Sequence, residues 1–63
     1  MVEKQATTIF KKALGGMTAN EVEQGIVMLD SLYKRAENKQ ERRLIGDYLK
    51  SLTEQKELLL ILD

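Results

Sequence analysis

The chain has 63 residues, of which ten are basic and ten acidic, and it contains no cysteine, histidine, proline or tryptophan. That balance leaves no bulk charge for holding nucleic acid or an anionic membrane, and the missing side chains exclude disulfides and the usual zinc ligands. A chain this short is expected to form one domain over residues 1–63, with a core contributing only about 3–5 kcal/mol, so association with another chain is the remaining reinforcement. The opening Met1-Val2-Glu3-Lys4 lacks the charged and apolar regions of a secretory signal, and the longest apolar run is five residues, against about 20 for a bilayer span. A cytoplasmic protein without a membrane partner is expected.

Glu, Lys, Gln, Leu and Arg favour helix and no proline interrupts them, which predicts an all-α fold. The first helix is placed at 2–14, where Val2, Ala6, Ile9, Phe10, Ala13 and Leu14 form one stripe at helical spacing. Lys11 and Lys12 suit its last turn, and Gly15 is expected in the left-handed position that ends many helices, making Gly15-Gly16 a joint. Whether this short helix docks or stays mobile is left open by its modest stripe.

The second helix is placed at 19–37. Thr18-Ala19-Asn20-Glu21 reads as a capping box, with Met17 and Val22 at the two positions of a hydrophobic staple. Val22, Ile26, Leu29, Tyr33 and Ala36 then recur at heptad spacing, with Leu32 and Gly25 widening the seam. Asp30 and Lys34 are correctly ordered for an exposed i,i+4 pair. Gly25 borders the stripe and is expected to mark a close helix approach.

From Glu37 to Arg43 every residue is polar. Asn38 followed by Glu41 resembles a second cap, favouring a turn over one continuous helix. The third helix, at 39–62, repeats the heptad at Ile45, Tyr48, Leu52, Gln55, Leu59 and Leu62, with Leu44, Leu49 and Leu58 beside it. A hairpin about residue 39 would bring Tyr33 near Ile45, Leu29 near Leu49 and Ile26 near Leu52. At about 33 Å the third helix outruns the second, at about 27 Å, so Leu58 to Leu62 overshoot. Gln55 falls on the seam and is expected at its edge.

The expected architecture is thus a short helix followed by a long antiparallel helical hairpin, assembled as a dimeric helical bundle or coiled coil. Its pattern resembles small dimeric helical hairpins of the Rop type, a likeness of architecture that carries over no functional residue. The predicted oligomer interface is Ile26, Leu29, Tyr33, Tyr48, Leu52, Leu59 and Leu62, and the predicted partner surface is Ile9, Phe10, Leu58 and Ile61.

Enzymatic activity is not expected. Proton transfer without histidine or cysteine would fall to a carboxylate or lysine, and the acidic residues are spread over exposed faces. No phosphate loop, dinucleotide fingerprint, calcium loop or acidic metal motif is present, so no metal or cofactor is expected. Tyr33 and Tyr48 read as core or interface tyrosines. The function expected is that of a small regulator, inhibitor or assembly factor that self-associates and packs helices on a partner protein. The alternative is RNA or DNA binding by Lys34, Arg35, Lys39, Arg42 and Arg43 around the turn, although Glu37 and Glu41 interleave and no aromatic lies among them to stack on a base.

Overall fold

A computed structural model describes residues 2–62. The chain is all-helical: α1 spans Val2–Leu14, α2 spans Ala19–Arg35 and α3 spans Lys39–Leu62. The three helices pack on one another in an elongated bundle 38 Å long and about 15 Å across, a length matching the roughly 36 Å rise of the 24-residue α3. No described helix is long and apolar enough to cross a membrane.

Local chemistry sets the helix starts. Thr18 is extended, and its hydroxyl accepts from the Glu21 amide at 3.2 Å while donating to the Glu21 carboxylate at 3.2 Å. At α3 the Asn38 side chain accepts from the Glu41 amide at 2.8 Å, and the Glu41 carboxylate accepts from the Glu37 amide at 3.4 Å. Two otherwise orphaned amides at this turn are thereby satisfied. This second cap shortens α2 to Arg35 from the expected 37, because Glu37 now bonds forwards. Ala36 is extended, with φ −64° and ψ 133°, and its amide closes α2 onto the Tyr33 carbonyl at 3.2 Å.

Two local expectations are corrected. No described residue has a positive φ, so Gly15 does not adopt the left-handed form; α1 closes instead through the Gly16 amide on the Ala13 carbonyl at 3.0 Å. Gly16 sits in a tight place, since a Cβ there would lie 3.0 Å from both the Ala13 carbonyl oxygen and the Glu21 Cβ. Met17 is 84% exposed and closes no staple, because Val22 is covered from inside the bundle.

The hairpin register follows the apolar pattern. Glu23 lies opposite Lys56, which donates to its carboxylate at 2.7 Å. Leu52 Cδ1 lies 3.6 Å from a Cβ position on Gly25, and Tyr33 Cε2 lies 4.0 Å from one on Gly46. The core is Ala6, Ala13, Val22, Leu29, Leu32, Ala36, Ile45 and Leu52, with Ile9, Phe10, Tyr48 and Leu59 packed at its margin.

The seam of α2 is rotated from its expected position. Its buried line runs through Val22, Gly25, Leu29, Leu32 and Ala36, while Ile26 is half-buried and Tyr33 is exposed. The cause is α1, which packs on the Gly25 and Leu32 side and gives α2 two neighbours. A Cβ on Gly25 would overlap the Ala13 Cβ, so glycine lets the two backbones approach. On the other side of α1, Phe10 stacks on Tyr48 with ring centroids 4.1 Å apart, and Thr7 shares a 3.1 Å hydrogen bond with the Tyr48 hydroxyl. The first helix is therefore docked against both arms of the hairpin.

Candidate interaction surfaces

The last turns of α3 are the most apolar exposed feature. Leu58, Leu60, Ile61 and Leu62 are 55, 56, 78 and 81% exposed, and only Leu59 turns inward to the core. The helix rises past the first residue of α2, and a helix beyond its neighbours can bury only one of its faces. Met17 projects at the same end of the bundle. Glu54 and Glu57 are exposed on the same helix, and Lys56 between them is paired with Glu23.

A second surface is the groove between α1 and α2. Ile9, Met28 and the edge of Leu32 form its apolar floor, flanked by Thr8, Gln24 and Ser31. Lys4, Lys12 and Arg35 stand along it, and Glu21 is its single acidic lining residue. Met28 is 54% exposed and Val27 is also largely exposed. Neither residue belongs to the heptad pattern, and their hydrophobicity off the stripe is the only mark they leave in the sequence.

The residues expected to form an oligomer interface do not share one surface. Leu29 and Leu52 are 0% exposed and pack within the chain's own core. Tyr48 and Leu59 are partly buried against the core, Ile26 and Tyr33 lie on the α2–α3 flank away from α1, and Leu62 is at the tip of α3. The expected partner surface also divides. Leu58 and Ile61 lie on the α3 end, Ile9 lines the α1–α2 groove, and Phe10 is turned to the other side of α1 against Tyr48. Gln55 is partly buried at the margin, as expected for an edge residue.

Around the turn, Lys34, Arg35, Lys39, Arg42 and Arg43 are all exposed. Lys34 faces Asp30 at 3.5 Å, and Arg35 shares a shallow surface with Glu3, Glu37 and Glu41. The cations are interleaved with Glu37 and Glu41 on the same helical turns. Among the described residues no group of acidic side chains is arranged to hold a metal ion, and no buried side-chain nitrogen or oxygen lacks a hydrogen-bond partner. Known protein families, curated proteins and solved structures contain no match to this chain.

Proposed function

We propose that the protein is a non-enzymatic helical protein-binding regulator, an inhibitor, co-regulator or assembly factor, that self-associates and packs helices on a partner protein. The observation carrying this reading is the exposed end of α3, where four large apolar residues face solvent together. Contiguous exposed apolar surface marks interaction sites on small folded proteins. A small three-helix core also gains stability by mass action from any chain that covers it. Apolar residues would supply the attraction, and the flanking Glu54 and Glu57 would choose orientation.

Solution mass by light scattering across a dilution series, with helicity recorded on the same samples, tests the reading. The native chain is expected to be oligomeric at tens of micromolar, with a dimer as the smallest form. Leu58→Asp with Ile61→Asp is expected to give a monomer of unchanged helicity, because both positions are exposed. A native chain that stays monomeric to millimolar concentration would overturn self-association.

A further inference from the structure

Resting on that reading, we propose that the α3 end of one chain docks in the α1–α2 groove of a second copy, with the exchange made reciprocally.

The two surfaces complement each other in polarity, charge and length. The groove offers an apolar floor of Ile9 and Met28 between Lys4 and Lys12, with Glu21 as its one acidic lining residue. The α3 end offers exposed Leu58, Ile61 and Leu62 beside Glu54 and Glu57, and it has no basic residue in its last turn. From Lys4 to Lys12 the groove runs about 12 Å, and Glu54 to Leu62 spans the same rise. Methionine suits such a floor, since its unbranched, polarisable side chain adapts to what lies on it.

Charge also disfavours the simplest competing arrangement. Two α3 ends packed directly on one another would set Glu54 and Glu57 of one copy against the same residues of the other, while Lys56 faces Glu23 of its own chain at 2.7 Å. Reciprocal exchange instead gives each carboxylate pair a cationic rim. It also closes the assembly, whereas one-way docking would leave an end and a groove free and build an open chain.

Charge reversal in two separate variants tests the exchange. Lys4→Glu with Lys12→Glu makes the groove acidic; Glu54→Lys with Glu57→Lys makes the end basic. All four positions are exposed, so helicity should hold. Each variant alone should dissociate at concentrations about tenfold or more above the native chain. An equimolar mixture should regain the associated mass, because each variant's groove then matches the other's end. A fold defect would not be cured by mixing. If the Lys4 and Lys12 reversal leaves association unchanged while Leu58→Asp with Ile61→Asp abolishes it, the groove is not the receptor and the exchange is overturned, although self-association through the α3 end stands. Failure of the mixture to reassociate, or a mass that climbs without limit with concentration, overturns it as well. A native chain that is monomeric throughout removes the underlying reading too.

Discussion

Gly25 faces Ala13 so closely that a methyl group on the glycine would overlap the alanine Cβ. This approach brings α1 down onto α2 at Ala13, with Ile9 and Met28 as the floor of the groove beside it.

Gly25→Ala should therefore destabilise the fold despite the better helix propensity of alanine. Forcing a methyl into a packed contact costs about 1–3 kcal/mol, against a propensity gain of about 1 kcal/mol. Urea titration should show a lowered midpoint, and Ala13→Gly added to it should recover part of the loss if the two sites are coupled. Independent, additive effects would remove the close contact as the cause.

Gly46→Ala should do the opposite. The nearest atom to a Cβ there is Tyr33 Cε2 at 4.0 Å, an ordinary contact, so the gain of roughly 0.5–1 kcal/mol from replacing a mid-helix glycine is unopposed. In a domain of this size that is a rise in Tm of about 2–8 °C. A fall would mean that the glycine serves a contact outside the chain.

Asn38→Ala should cost about 1 kcal/mol by removing the 2.8 Å bond to the Glu41 amide. Thr18→Ala should cost a similar amount at α2. Hydrogen exchange should speed first in the leading turn of the affected helix, and uniform acceleration over the chain would argue against a local cap.

Tyr48→Phe keeps the stack on Phe10 but deletes the 3.1 Å bond to Thr7. A loss of about 1 kcal/mol is expected, concentrated in the exchange rates of α1. Unchanged α1 protection would show that the aromatic stack and the alanine contacts hold the helix without the hydroxyl.

Leu59 and Leu62 differ in exposure, and their aspartate variants should separate folding from association. Leu59 is packed at the core margin, whereas Leu62 is 81% exposed. Leu59→Asp should reduce helicity, since it pushes a charge towards the core. Leu62→Asp should lower the solution mass while leaving helicity intact. Equal loss of helicity in both would mean that the α3 end is needed for the fold itself.

The sequence by itself determined the number of helices, the caps at Thr18 and Asn38, the antiparallel register and the overshoot of α3. These rest on residues three or four apart, or on the alternation of leucines along two arms joined by a short turn, and such signals are local. The tertiary structure alone decided which flank of α2 is buried. Ile26 with Tyr33 and Gly25 with Leu32 are near-equivalent continuations of the same heptad, and the choice fell to where α1 packs. That docking depends on Thr7, Phe10 and Ala13 meeting residues far along the chain, Tyr48 and Gly25 among them. The same choice opened the groove at Met28. Pairwise contacts across such separations leave no periodic mark in sequence, so the α1–α2 groove became legible only once α1 had its place.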